Sequence, residues 1–305
     1  IVNTFEKYIK INNISDIPLH TLGFGYNLDL NVLLGLSKLS KGTFNYIPSS
    51  SEMGTVMIHL ISNLLLINST NSILEITYPS TLTIYQTDII TKYLKLFNYD
   101  INNNILSIYL GQLRYKQKIN IMLQNIDINP CSIIFKYTNK NISYSNTIPI
   151  TNIEQSPTND YLMNYMKHYI TSNIYEIYND IVVNEVTTSN DMNEIVFDNL
   201  IIFIDNFNKN LLSSEYSSIC NLYKEHLLDQ VHKGLFVYFN KWGKYYIISF
   251  LYCLNEMRAN NFRDNILEIF TNDNFNTIRD NIENIYLTLP SPIPSLPILP
   301  SVNSK

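Results

Sequence analysis

The hydrophobic pattern of the first part of the chain alternates between strand and helix periods. The short apolar run at residues 19–22 ends at Gly23, which predicts a buried strand of a parallel sheet. Residues 30–42 place apolar side chains at helical spacing, residues 43–47 predict a second strand, and residues 52–66 predict a second helix. This order of strand, helix, strand and helix is typical of a parallel sheet with helical crossovers.

Two glycines flank Phe24 at the point where the first strand passes into the first helix. A dinucleotide-binding loop would place a third glycine three residues after Gly25, and the chain has Leu28 there. Gly23 and Gly25 therefore predict a strand-to-helix turn and not a phosphate-binding loop. Asn27 and Asp29 are both suitable N-caps for the helix that follows.

From Ser72 the pattern changes to short β-rich runs in which apolar and polar positions alternate. The runs are ILEITY at 73–78, LTIY at 82–85, NILSIYLG at 104–111, KINIML at 118–123, SIIFKY at 132–137 and ISYSNTIPI at 142–150. The three asparagines at 102–104 predict a hairpin turn, and residues 87–97 fit either a strand or another element. The spacing of the runs predicts a small antiparallel β-sandwich.

Apolar residues recur at helical spacing in the last third of the chain, with Asp, Asn or Ser near most segment starts. The predicted helices are Tyr161–Val186, Asn190–Asn208, Ser214–Gln230, Leu235–Asn260 and Phe275–Leu289. The whole pattern predicts a multi-domain α+β chain. Its parts are a partial α/β module at 1–68, a β-sandwich at 69–152, a helical bundle at 153–290 and an extended Pro- and Ser-rich tail at 291–305.

Composition narrows the class of protein. The chain is 46% hydrophobic and 15% charged, which indicates a globular protein. The net charge is -5 and Lys and Arg form no cluster, which argues against nucleic-acid binding. The longest apolar run, residues 245–254, is too short to cross a bilayer. Cys131, Cys220 and Cys253 have no zinc spacing and favour a reducing compartment.

The residue usage also carries information about the source. Asn, Ile and the 23 Tyr residues are abundant, whereas Ala259 is the sole alanine and Trp242 the sole tryptophan. AT-rich coding produces this skew, so we expect a protist or a large DNA virus as the source. An intracellular or virion-associated location is the corresponding expectation.

Residues 20–66, from "HTLGFG" through "GLSKLSKGTFNYI" to the second helix, resemble the second half of a von Willebrand factor A (VWA) module. The resemblance implies a metal-dependent adhesion site in which an Asp-x-Ser-x-Ser loop, a Thr and a further Asp hold Mg²⁺. This chain contains no Asp-x-Ser-x-Ser, so we expect no metal and no cofactor within it. Mg²⁺ would bind only if a complete adhesion site exists upstream.

The helical region is similar to the domain that follows A modules in VWA–Hint proteins and in RING-type VWA ubiquitin ligases. The resemblance rests on three motifs, "WGKYY", "NNFRD" and "LPSP". It singles out Trp242, Gly243, Asn260, Asn261, Phe262, Arg263 and Asp264 as an interaction or structural signature. For Trp242 and Gly243, core packing with close helix approach is favoured over a recognition surface. Asn260 and Asn261 are expected to turn or cap the chain, and Arg263 and Asp264 to open the next helix.

Half of a VWA sheet would leave a bare strand edge and uncovered helix faces. The missing strands would belong to a preceding segment, come from another chain, or be replaced by packing against the β-sandwich. A second chain that completes the sheet is therefore one expected partner.

No catalytic constellation accompanies these motifs. The sequence lacks G-x-S-x-G, and His226 and His232 lie six residues apart, so they do not share a helix face as a zinc pair would. We therefore expect a non-catalytic protein of VWA type that binds or scaffolds other proteins. The alternatives are the substrate-binding region of a RING or U-box ligase and an accessory region of a VWA–Hint protein.

Overall fold

The computed structural model describes residues 1–12, 17–78, 98–102, 104–121, 132–149, 159–184, 190–209, 214–260 and 264–290. The predictions for 82–85, 87–97, 122–123, 261–263 and the tail at 291–305 lie outside these residues. Cys131 also lies outside them. No helix within the described ranges is long and apolar enough to cross a membrane.

The first part of the chain forms a parallel pair of strands with helical connections, as predicted. Its elements are α1 (Val2–Asn12), β1 (Thr21–Phe24), α2 (Leu30–Leu39), β2 (Phe44–Ile47) and α3 (Ser50–Leu65). Asp29 caps α2, because its carboxylate accepts a hydrogen bond from the Val32 amide at 3.1 Å. The pattern did not predict α1, which buries none of its residues.

A five-stranded antiparallel sheet follows. It contains β3 (Ile67–Thr77), β4 (Asn98–Asn102), β5 (Ile105–Arg114), β6 (Ser132–Asn139) and β7 (Ile142–Ile148), in the spatial order β4-β5-β3-β6-β7. The predicted asparagine turn joins β4 to β5, with Asn104 in the left-handed region at φ 63°. The second sheet that a sandwich requires stays a prediction.

The strand predicted at 118–123 is wrong for its described part. Residues 117–121 have no regular secondary structure. Ile119 and Ile121 nevertheless pack on the small core of the sheet around Leu106 and Ile108. Their alternating apolar side chains reflect this packing and not strand pairing.

The last third of the chain is helical. It contains α4 (Asn159–Asn184), α5 (Asn190–Lys209), α6 (Ser214–His226), α7 (Lys244–Asn255) and α8 (Asp273–Thr288). Between α6 and α7 the chain winds through three short π-helices, Leu227–Val231, Lys233–Val237 and Phe239–Gly243. The predicted helix 235–260 is therefore wrong in both type and length, since its α-helical part covers only α7.

One hydrophobic core joins the parallel strands to the helices. Phe44 and Tyr46 of β2 belong to the same buried cluster as residues of α4 to α7. The Tyr46 and Tyr245 rings lie 5.5 Å apart between centroids. Residues of the helical region therefore pack on β2.

Candidate functional site

The first parallel strand has one open edge. Within the described residues β1 pairs with β2 alone. The Thr21 and Gly25 amides donate to carbonyls of the β2 segment, at 2.8 and 2.9 Å. Because successive amides of a strand point in opposite directions, those of Leu22 and Phe24 face the open edge.

Large apolar side chains lie exposed beside this edge. Phe24 is 50% and Tyr26 51% exposed, and both follow directly from the strand into the turn. Ile17 and Leu19, before the strand, are also exposed. We call Ile17, Leu19, Phe24, Tyr26 and the outward amides of β1 the β1 edge. Such an edge offers both hydrogen-bonding groups and apolar surface to an extended segment.

The two glycines of the predicted turn have different geometric roles. A Cβ on Gly23 would lie 2.7 Å from the Leu28 Cδ1 atom and 3.1 Å from the Phe44 ring, so the glycine leaves room for these two side chains. Gly25 has open space around it but adopts φ +82°, a conformation that favours glycine. Gly23 thus permits close packing, and Gly25 makes the turn.

Tyr245 of α7 holds this turn in place from the helical region. Its hydroxyl lies 3.0 Å from the Tyr26 carbonyl oxygen, to which it donates, and it accepts from the Leu28 amide at 3.3 Å. The "WGKYY" motif therefore supplies a side chain that positions the β1 edge. Sequence reasoning missed this link because the partners lie more than 200 positions apart in the chain.

The structure places Trp242 and Gly243 at a tight crossing inside the helical region. A Cβ on Gly243 would lie 1.8 Å from the Gly234 carbonyl oxygen, so no larger residue fits without backbone movement. Trp242 is partly buried, and its ring lies 5.7 Å from that of Tyr238 and 5.5 Å from that of Tyr246. Both positions serve close packing in this geometry.

Asp264 does not cap the short 3₁₀-helix Asn265–Phe270 with its side chain. Its carboxylate is buried instead, where it accepts a hydrogen bond from the Tyr246 hydroxyl at 2.6 Å. His226 completes the cluster, with its Nε2 atom 2.7 Å from the Tyr246 hydroxyl and 3.1 Å from the carboxylate. We call His226, Tyr246 and Asp264 the buried polar cluster.

Burial dominates the electrostatics of this cluster. It raises the pKa of the Asp264 carboxyl, although the nearby His226 and the Tyr246 hydroxyl act in the opposite direction. The pKa of the Tyr246 hydroxyl is raised well above its ordinary value by burial and by the Asp264 charge. The cluster has no exposed group that a substrate would reach, so its geometry suits a structural role.

Of the remaining signature residues, the structure describes Asn260. Asn260 is buried at the end of the loop after α7. Asn261, Phe262 and Arg263 lie outside the described residues. Their expected roles in the turn and at the start of the next helix stay predictions.

Within the described ranges, no group of three or more His, Cys, Asp and Glu side chains comes together as a metal site. His20 contacts Thr43, and His232 packs between the rings of Phe197 and Phe236. His59 lies 3.3 Å from the Glu268 carboxylate. The expected absence of a metal and of a cofactor in this chain stays a prediction.

The comparisons with known proteins relate this chain to VWA proteins. Residues 217–284 match the model of the Vwaint family, described as VWA / Hh protein intein-like. This segment contains Trp242, Gly243, Tyr245 and the buried polar cluster. No curated protein matches the chain.

One solved structure is similar at low level, the crystal structure of the ArnB paralog VWA2 from Sulfolobus acidocaldarius. The two chains share 12% identity, with a TM-score of 0.33. The match covers 79% of this chain and 57% of that chain. The chain thus spans little more than half the length of this neighbour.

Proposed function

We propose that this chain is a protein-interaction or scaffolding region of a VWA-related protein, and that the β1 edge is its binding surface. The single observation that carries the proposal is the open side of β1, where two backbone amides and exposed apolar side chains lie together. The Vwaint match of the helical region supports a VWA-related context.

The backbone groups of the β1 edge indicate which kind of molecule can bind there. Unpaired strand amides and carbonyls at regular spacing are matched by the backbone of another extended strand. The occupant in this proposal is therefore a strand of another protein chain, which would complete the parallel sheet. Phe24 and Tyr26 would cover apolar side chains of that strand, and pairing specificity would come from this contact.

The experiment first identifies the occupant and then tests the pairing. A photo-crosslinking amino acid at Phe24 should capture the partner, with the same amino acid at exposed Tyr8 of α1 as the control. The captured segment, made as a peptide, is then titrated against the wild type, Phe24→Ala and Phe24→Pro. Both variants remove the aromatic ring, and only the proline also removes the outward amide.

The expected result is at least tenfold weaker peptide binding by Phe24→Pro than by Phe24→Ala. Proline leaves the Thr21 and Gly25 bonds to β2 intact, because those amides face the other way. Equal binding by the two variants would show that the partner does not pair with the β1 backbone. Circular dichroism of both variants controls for loss of the fold.

The two alternative functions concern residues outside this chain. A ligase role for the longer protein predicts ubiquitin transfer in vitro with at least one conjugating enzyme. A VWA–Hint role predicts autoprocessing at a downstream Cys or Ser. The proposal assigns no catalytic residue and no metal to this chain, and Mg²⁺ would enter only through a complete adhesion site upstream.

A further inference from the structure

A cavity of about 160 Å³ lies where the parallel strands, the antiparallel sheet and the helical region meet. The charged and titratable side chains that line it are His20, Lys38, Lys41, Arg114, Glu256 and Arg258. Four of these are permanent cations near neutral pH, and Glu256 is the single carboxylate among the described residues of the wall.

Arg258 is buried in this wall without a full set of partners. Its side chain is 3% exposed. The Nε atom donates to the Glu256 carboxylate at 3.0 Å, and the Nη1 atom donates to the Asn45 amide oxygen at 2.9 Å. The Nη2 atom is buried and has no hydrogen-bond partner within the part of the chain that the structure describes. An unpartnered donor on a buried cation is costly and calls for a ligand.

Arg114, at the end of β5, brings a second guanidinium to the same cavity. It donates to neutral oxygens only, at 2.7 Å to the Asn63 side chain and at 3.2 and 3.4 Å to the carbonyls of Met257 and Glu256. Burial and the charge of Arg258 lower the pKa of Arg114 to about 9, so it stays charged at neutral pH. Of the two guanidinium groups, only that of Arg258 contacts the Glu256 carboxylate among the described residues.

Two lysines extend the positive surface to the rim of the cavity. Lys38 lies over the Tyr252 ring at 5.5 Å, and Lys41 donates to the Asn71 amide oxygen at 2.5 Å. Both side chains are bound to neutral groups in these contacts, so their charges also remain uncompensated there. The excess of cations favours a ligand with more than one negative charge.

We propose that this cavity binds a small tetrahedral oxyanion, inorganic phosphate being the chemistry that fits best. A cavity of this volume has room for a small oxyanion together with ordered water. The ion would balance Arg114 and Arg258 and would connect all three parts of the fold. Nothing in this proposal depends on a partner at the β1 edge.

The test is thermal unfolding of the whole chain in phosphate, at ionic strength held constant with chloride. Wild-type protein should gain thermal stability with saturable phosphate dependence, and sulfate should act similarly while acetate acts weakly. Arg114→Gln keeps a donor for Asn63 but removes the charge, and it should weaken phosphate binding at least tenfold. Lys41→Gln, at the exposed rim, should weaken it severalfold without risk to the fold.

Lys140→Gln is the matched control, because it removes one cation from the turn between β6 and β7 at a residue that does not line the cavity. It should leave the phosphate dependence unchanged. Equal loss in Lys41→Gln and Lys140→Gln would indicate general charge screening and would overturn the proposal. Absence of any saturable phosphate effect on the wild type would overturn it as well.

Discussion

Helix α7 and strand β7 differ in how far their residues are buried. Ten of the twelve residues of α7 are buried, whereas every position of β7 is exposed. α7 lies in the cluster that joins the helices to β2. β7 is an outer strand of a sheet whose core contains four buried apolar side chains among the described residues. Substitutions in the helical region should therefore cost more unfolding free energy than substitutions in β7.

The largest expected effect is at the tight crossing of the helical region. Gly243→Ala places a Cβ against the Gly234 carbonyl oxygen, which is a backbone atom and cannot turn away as a side chain would. We expect a loss of about 3 kcal/mol in the free energy of unfolding, or more, measured by urea denaturation.

Gly54→Ala is the control for that change. Its Cβ would meet only the side chain of Tyr286, which is half exposed and free to turn away. We expect a loss below about 1 kcal/mol, since a flexible neighbour relieves the contact. Equal losses for the two variants would contradict the special role of the Gly243 crossing.

The next effect is at the buried polar cluster. Asp264→Ala leaves the Tyr246 hydroxyl and His226 without their buried acceptor, which should cost about 2 kcal/mol of unfolding free energy. Asp280→Ala removes a carboxylate from the surface of α8 and should cost less than about 0.5 kcal/mol. An equally small loss of unfolding free energy in both variants would contradict a stabilising role for the buried polar cluster.

The same change, lysine to methionine, can be made in the helical region and in the antiparallel sheet, and its effects on stability can be compared. Lys167 of α4 is 3% exposed, its Nζ atom has no hydrogen-bond partner within the described residues, and burial lowers its pKa to about 7. Lys167→Met should therefore stabilise the protein at pH 7 by about 1 to 2 kcal/mol. Lys136→Met in β6 removes a partly exposed contact to Glu75 and should be neutral or slightly destabilising.

The effect of Lys167→Met on stability should depend on pH. Because the pKa of Lys167 is lower in the folded than in the unfolded protein, its stabilising contribution is present at high pH and is lost as pH falls from about 10.5 to about 7. The advantage of Lys167→Met should thus be largest at pH 7 and shrink toward pH 10. An advantage independent of pH would contradict the assignment of a buried, titrating amine.

The smallest effect belongs to β7. Ile142→Thr changes a side chain that is 57% exposed and keeps the β-branched shape that suits a strand. The change should alter the unfolding free energy by less than about 0.5 kcal/mol. A larger loss would mean that β7 is covered, and the contrast with α7 would disappear.

Local pattern was enough to predict β1, α2, β2, α3 and the asparagine turn. In these segments the period of the apolar residues, the Asp29 cap and the glycines all indicate the same element. Helix α1 was not predicted, and it buries none of its residues. The π-helical segment was not predicted, and within it the Gly234 carbonyl oxygen occupies the space that a Cβ on Gly243 would need.

The candidate site was likewise predicted only in its local features. Gly23 and Gly25 were predicted as a turn, and the structure places them beside the open edge. The anchoring of that turn by Tyr245, and the meeting of Arg114 with Arg258, depend on contacts between distant parts of the chain. No periodicity or spacing within one segment carries this information.

In this proposal β1 has an edge that is open to a partner strand. Amide hydrogen exchange at Phe24 and Gly25 tests the open edge most directly. Gly25 donates to the Ile47 carbonyl at 2.9 Å and should exchange slowly in the free protein, while the outward amide of Phe24 should exchange fast. Addition of the captured partner peptide should protect Phe24 and leave Gly25 unchanged. A Phe24 amide already protected in the free chain, or unprotected at saturating peptide, would contradict the account.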